Sequence, residues 1–194
     1  MYIAFEGVDT VGKSTQIERL CRKFPDALAT KEPGGTELGE KIRSILLEEG
    51  ELLARSEILL FLADRAEHTE RVVRPNLERL ILSDRSFISG IAYAHVHDGI
   101  EIDTLLQLNR FATGNLFPEH IALFQTDADT LKERLGRKSS DKIEIRGIDY
   151  LLHVQKTMYE LVDLLQIDHI LIDASEPVDE ITQKLYRYIK DCQA

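Results

Sequence analysis

The segment Gly7-Val8-Asp9-Thr10-Val11-Gly12-Lys13-Ser14 constrains this chain more than any other. It fits G-x-x-x-x-G-K-[ST], the phosphate-binding P-loop. The apolar run Tyr2-Ile3-Ala4-Phe5 before it reads as a strand. Thr15-Gln16-Ile17-Glu18-Arg19-Leu20-Cys21 after it reads as a helix. The glycines let backbone N–H groups turn toward a phosphate chain, and the helix N-terminus adds its positive dipole end. The expected cradle comprises Gly7, Val8, Asp9, Thr10, Val11, Gly12, Lys13, Ser14 and Thr15. Lys13 would reach the β- and γ-phosphates of a nucleotide, and the Ser14 hydroxyl would ligate magnesium.

The rest of the chain alternates in the way such a loop requires. Short apolar runs predict strands at Tyr2–Glu6, Leu28–Lys31, Leu80–Asp84, His120–Thr126 and His169–Asp173. Longer amphipathic runs predict helices at Lys13–Phe24, Thr36–Leu47, part of Ser56–Ile81, Ser86–Val96, Ile102–Ala112, Ala128–Leu135, Gly147–Gln166 and Val178–Lys190. Strands alternating with helices imply a parallel sheet covered on both faces. A length of 194 residues suits one α/β domain spanning 1–194. No internal repeat or low-complexity linker divides it.

Charge and cysteine usage narrow the partners. The formal net charge of -10 argues against a general nucleic-acid binder and against an anionic-membrane binder. It does not argue against a nucleotide, because local cations can overcome the global sign. Cys21 and Cys192 fit no metal spacing and suggest a reducing compartment. No stretch approaches the roughly 18 apolar residues of a membrane span. The chain enters a strand at once, with no signal peptide in view, so a cytoplasmic protein is expected. The six histidines share no metal-like spacing, and no zinc is expected.

Four further segments carry chemistry. Leu80-Ile81-Leu82-Ser83 ends at Asp84-Arg85. A carboxylate at that strand end could hold magnesium beside Ser14, or it could cap the following helix. Lys31-Glu32-Pro33-Gly34-Gly35-Thr36 forms an irregular loop after the second strand. A plain turn would explain its glycines but would not ask for Lys31 and Glu32 at the sheet edge. Phe61 and Arg65 lie four residues apart on one helix face. They could stack a base and grip a phosphate, or be a core aromatic and a surface cation. Gly136–Lys142 is polar and basic, which suits either a solvated connection or a mobile lid that brings cations to phosphates.

Together these segments resemble the thymidylate kinase family along nearly the whole chain. The matching blocks are Phe5-Glu6-Gly7-Val8-Asp9, Glu32-Pro33-Gly34-Gly35-Thr36, Phe61-Leu62-Ala63-Asp64-Arg65, Asp84-Arg85-Ser86-Phe87-Ile88-Ser89 with Ala92-Tyr93, and Asp141-Lys142-Ile143-Glu144. The resemblance implies a P-loop nucleoside monophosphate kinase fold: a five-stranded parallel sheet, helices on both faces, and a lid at about 136–147. It implies ATP and Mg2+ as donor and metal, dTMP as acceptor, and a homodimer built from helices that include those of Arg65 and Tyr93. Asp9 would face the deoxyribose 3′-hydroxyl and orient Arg85. Arg85 would hold the acceptor phosphate, with Glu32 beside it and near magnesium-bound water. Phe61 would stack on thymine and Arg65 would hydrogen-bond it. Pro33 would belong to the same acceptor site. Tyr93 would disfavour a 2′-hydroxyl, and Ser89 would lie near the base or the phosphate.

The chain departs from the family at Lys31 and Lys142, where arginines are usual, and at Gly90, Ala94 and Thr126, where polar residues are common. These departures bear on base readout rather than on the fold. Kinases for other deoxynucleotides or nucleosides are the nearest alternatives, followed by a non-catalytic nucleotide-binding protein. A GTPase switch is disfavoured, since no N-K-x-D segment occurs.

The P-loop interior Val8-Asp9-Thr10-Val11 holds no cation. Charge on the transferring phosphoryl group must nonetheless be stabilised. In the family that the chain resembles, the stabilising arginine sits either in the P-loop or in the lid, so the resemblance implies a lid cation here. Arg137 is the leading candidate, with Lys138 and Lys142 behind it. Arg137→Ala is therefore expected to lower kcat by about 10²-fold. A steady-state assay that finds kcat unchanged removes the assignment.

Overall fold

The structure, a computed structural model, describes residues 1–48, 52–135 and 147–193. Five strands make one sheet: β1 (Tyr2–Glu6), β2 (Leu28–Lys31), β3 (Ile81–Asp84), β4 (His120–Gln125) and β5 (Asp168–Asp173). Their order is β2-β3-β1-β4-β5, and every pair is parallel. β1 lies at the centre and is buried at all five positions, which is why it reads as an unbroken apolar run. β2 lies at an edge and alternates between half-buried and exposed residues.

The helices are α1 (Lys13–Lys23), α2 (Glu37–Glu48), α3 (Ala54–His68), α4 (Phe87–Asp98), α5 (Ile102–Thr113), α6 (Ala128–Leu135), α7 (Ile148–Leu164) and α8 (Val178–Cys192). Right-handed crossovers decide their sides. The β1–α1–β2 connection runs toward the β2 edge, whereas the later connections run the other way. α1 is therefore expected on the opposite face from α3, α4, α5 and α7. The packing agrees: α1 meets α8, and α4 meets α3, α5 and α7. α4, enclosed by three helices, buries Phe87, Ile88, Ile91, Ala92 and Ala94. α8 covers an outer face and buries one stripe: Ile181, Leu185 and Ile189.

The expected elements all form, with shifted ends. α3 begins at Ala54, and its helical path continues through a π-helical turn, Thr69–Val73, into a short 3-10 turn, Arg74–Asn76. Pro75 sits among the first residues of that last turn, where a missing N–H is tolerated. The expected lid falls on residues 136–146, outside the described residues, as do Arg137, Lys138, Lys142 and the Asp141–Glu144 block.

Strand register gathers the site. Phe5 pairs with Asp84, and Lys31 pairs with the same residue. The P-loop, the Asp84-Arg85 turn and the Glu32-Pro33 loop therefore leave the sheet side by side at its C-terminal edge. Ligands of open α/β sheets bind at such an edge.

Candidate active site

The P-loop is shaped by close packing beneath it. A Cβ on Gly7, whose φ is +145°, would stand 2.9 Å from the Phe124 carbonyl oxygen, so only glycine fits. Val8 and Val11 point into the core and anchor the loop. Gly12, with φ at +98°, turns the chain into α1, which starts at Lys13. Lys13 is almost fully buried, and its Nζ donates to the carbonyls of Gly7 at 3.0 Å and Val8 at 2.9 Å. Burial, reinforced by the nearby Arg85 charge, lowers its pKa to about 8. A phosphate chain would supply the negative charge that this ammonium lacks. Ser14 and Thr15 stand exposed at the helix start.

The Ser14 hydroxyl donates to Asp84 Oδ2 at 2.5 Å. Two oxygen donors side by side, one anionic, match what Mg2+ takes from a protein when phosphates and waters supply its other ligands. The helix-capping alternative for Asp84 is not used, because the N-cap of α4 is Ser86, which accepts from Ile88 N.

Arg85 links the P-loop to α4. Its backbone has φ at +73°, a left-handed conformation uncommon outside glycine. Its amide still donates to Phe5 O at 3.0 Å, so the sharp turn occurs while the residue is pinned to β1. Nη2 donates to Asp9 at 2.6 Å. Nη1 donates to Gly7 O at 3.1 Å and to Ser89 Oγ at 2.8 Å. The guanidinium also stands over the Tyr93 ring, 5.5 Å from its centroid. Burial opposes its charge, but Asp9 and other neighbours outweigh this and raise its pKa. The fully buried Glu6 supports the arrangement: it accepts from Ser86 Oγ at 2.6 Å and from the Ser89 hydroxyl. Burial raises the Glu6 pKa despite those two donors.

A cleft opens from Asp9 and Arg85 between α3 and α4. Its walls are Phe61, Leu62 and Arg65 from α3, and Ser86, Ser89, Gly90, Tyr93 and Ala94 from the opposite side. Pro33 and Arg43 close one flank, and Leu105 and Asn109 close another. The expected residues Asp9, Glu32, Pro33, Phe61, Arg65, Arg85, Ser89 and Tyr93 all line this one cleft. Phe61 is half-buried and lines it. Arg65 is only 4% exposed, which rules out the surface-cation alternative.

Arg65 is held by three acceptors: Glu32 Oε2 at 2.7 Å, Asn109 Oδ1 at 2.6 Å and Ser86 O at 3.1 Å. A guanidinium has five N–H groups, so two remain for a ligand. A Cβ on Gly90 would press to 3.1 Å on both terminal nitrogens, so glycine lets α4 approach the arginine closely. That gives a physical reason for one departure from the usual family residue. Glu32 is held from both sides. Its two oxygens accept from Arg65 and His68, each at 2.7 Å, and it is 5% exposed. A carboxylate this buried must be paired, and these two donors are within reach. Burial alone would raise its pKa, but Arg65 and His68 overcome that and hold it low. Glu32 thus clamps Arg65 while lining the cleft.

Sequence reasoning missed Glu6, Arg43, Asp64, His68 and Asn109. Glu6 carried a readable signal, a charged residue ending the most buried strand. Asn109 interrupts the apolar face of α5 at the position after Leu105, Leu106 and Leu108. Arg43 donates to Pro33 O at 3.0 Å, and nothing in its surroundings on α2 marks it out in sequence. Arg134, in the last turn of α6, donates to Thr10 O at 3.1 Å and to the Ala174 carbonyl.

Known proteins match this chain closely. The Thymidylate kinase family model matches residues 5–185. A thymidylate kinase from Sulfurovum sp. is 50% identical over 190 residues, covering 98% of this chain and all of that protein. One from Sulfurimonas denitrificans is 51% identical over 189 residues, covering 97% of this chain and 99% of the relative. The crystal structure of thymidylate kinase from Ehrlichia chaffeensis superposes with a TM-score of 0.78 at 25% identity, covering 98% of both chains.

Asp64 offers a test of the buried charge beneath the site. Its Oδ1 accepts from Gly34 N at 2.9 Å, and it is 1% exposed. Burial, with a further push from Glu32, raises its pKa to about 6 despite that hydrogen bond. The folded state thus holds this proton more firmly than the unfolded chain does. The stability it contributes is complete below the ordinary carboxylate pKa and is lost as pH rises through about 6. Asp64→Asn keeps the acceptor for Gly34 and removes the titration. The stability gap between Asp64→Asn and the wild type should shift in the variant's favour by about 1–2 kcal/mol between pH 5 and pH 8. Urea titrations that find a pH-independent gap contradict the assignment.

Proposed function

The chain belongs to the thymidylate kinase family, and we propose that it transfers the γ-phosphoryl group of ATP to dTMP, giving dTDP and ADP. The observation that carries this is the Asp9–Arg85 pair, with its 2.6 Å contact. It lies between a P-loop that can cradle a triphosphate and a cleft walled by an aromatic ring and a clamped arginine. Donor and acceptor sites thus share one boundary.

The P-loop amides and Lys13 bind the triphosphate. Ser14 and Asp84 hold Mg2+, which when bound neutralises charge on the phosphates. Arg85 binds the acceptor phosphate, and Asp9 orients Arg85 and faces the sugar 3′-hydroxyl. Phe61 stacks on the base, while the two remaining N–H groups of Arg65 reach a pyrimidine carbonyl. Tyr93 crowds the sugar and disfavours a 2′-hydroxyl. Pro33 and Ser89 complete the wall. The acceptor phosphate oxygen attacks the γ-phosphorus in line. It is already anionic at neutral pH and needs no strong general base. Catalysis then rests on positioning and on cations, including Arg137 from the lid. Lid closure excludes water and suppresses ATP hydrolysis.

The whole chain acts as one kinase domain. Its free cysteines, both half-buried, suit a cytoplasmic setting. No described helix is long and apolar enough to cross a membrane. It works as a homodimer. The apolar side chains exposed on the packed pair α3 and α5 are Leu59 at 61%, Leu108 at 36% and Phe111 at 89%. Leaving a phenylalanine so open to water is unfavourable unless a partner covers it. α4 contributes little to such a face, since its large apolar residues point inward.

Two measurements check these readings. A coupled assay across dTMP, dUMP, dCMP, UMP and AMP should give the highest kcat/KM for dTMP, and UMP matching dTMP overturns the specificity. Sedimentation should find a wild-type dimer and a monomeric Phe111→Asp, whereas a monomeric wild type removes the dimer.

A further inference from the structure

Behind the cleft wall that carries Arg65, a hydrogen-bonded chain runs back to the edge strand. His68, the last residue of α3, is fully buried and donates from Nδ1 to Glu32 Oε1 at 2.7 Å. Its Nε2 lies 2.6 Å from the Thr30 hydroxyl on β2. The other Glu32 oxygen accepts from Arg65 Nε at 2.7 Å. The imidazole has no room to swing: a Cβ on Gly35 would stand 2.5 Å from its Cδ2 and 2.9 Å from its Nε2. The loop backbone therefore closes over the ring. Glu32 is gripped from both sides, by a donor that faces the cleft and a donor that does not.

A carboxylate held at one oxygen can still rotate about its Cγ–Cδ bond, which loosens its hold on the guanidinium Nε. A second donor on the other oxygen fixes the carboxylate plane. Asn109 Oδ1 and Ser86 O hold the terminal nitrogens, and that plane fixes the third anchor, at Nε, completing the aim of the two N–H groups left for a ligand. We propose that His68 is a positioning residue for base recognition, fixing the Arg65 guanidinium through Glu32 without touching the substrate. This rests on reading the cleft as the dTMP site. A correctly aimed Arg65 favours a pyrimidine with a carbonyl at C4 over one with an amino group there, so the relay bears on the choice between dTMP and dCMP.

The test uses two amides in the full-length enzyme. The amide nitrogen of asparagine falls where His Nδ1 stood, and that of glutamine falls nearer Nε2. His68→Gln should raise KM for dTMP roughly tenfold, the scale of a lost hydrogen bond to a charged group. It should lower the dTMP-to-dCMP ratio of kcat/KM by a similar factor and leave KM for ATP unchanged. His68→Asn should restore most of both. A purely structural role would instead lower kcat for both acceptors together, with KM and the ratio unmoved, and that result overturns the proposal. So does a pair of variants that behave alike. If His68→Gln does not fold, Thr30→Val takes its place. It loosens only the far end of the chain and should shift the same ratio less, and no shift overturns the proposal. If the wild type does not phosphorylate dTMP, the acceptor assignment falls. The variants are then compared on the acceptor it prefers, so the two ideas fail separately.

Discussion

A charge that leaves water must find a partner, and at the C-terminal edge of this sheet several have left it together. Glu6, Lys13, Glu32, Asp64 and Arg65 are all buried. Breaking a buried pair leaves an unpaired charge at a cost of about 3–5 kcal/mol, a large part of a domain's whole stability. Each of these side chains is accordingly held. Glu6 takes two serine hydroxyls, Lys13 two carbonyls, Glu32 an arginine and a histidine, and Asp64 a backbone amide. These pairings tie the P-loop, the Glu32-Pro33 loop, α3 and α4 into one unit. The edge of the sheet becomes rigid where a nucleotide would bind.

Arg85 is where the donor and acceptor halves of the site meet. Its left-handed backbone would relax if the residue were free, but its amide is bonded to β1 and its guanidinium to Asp9, Gly7 and Ser89. Strain of this kind persists only where the surroundings over-determine it. One side chain thereby senses both the P-loop and the wall of the acceptor cleft. Glu6 supports it from below through Ser89, although Glu6 does not itself line the cleft.

Much of this was legible in the residues alone, for stated reasons. The short apolar runs announced the strands, and their alternation with helices announced a parallel sheet. The G-x-x-x-x-G-K-S segment carried both a turn and a ligand chemistry. Phe61 and Arg65 stood at helical spacing and do share the cleft. Glu32 was found as a site residue, but its clamp on Arg65 and its bond to His68 were not. Its partner His68 lies 36 residues away, and nothing in the intervening sequence says that α3 will pass behind the loop. Asn109 was missed for the same reason, since its link to Arg65 spans 44 residues.

Local pattern determined the elements, their alternation and the phosphate-binding loop, because period and glycine placement act over a few residues. It also determined which residue types were available for chemistry. Tertiary structure decided which of those residues meet. Pairing depends on strand register and on how closely α4 can approach Arg65 over Gly90, and neither is written in any short segment. It also made Glu32 the clamp of an arginine. A buried carboxylate takes the donors that packing brings within reach.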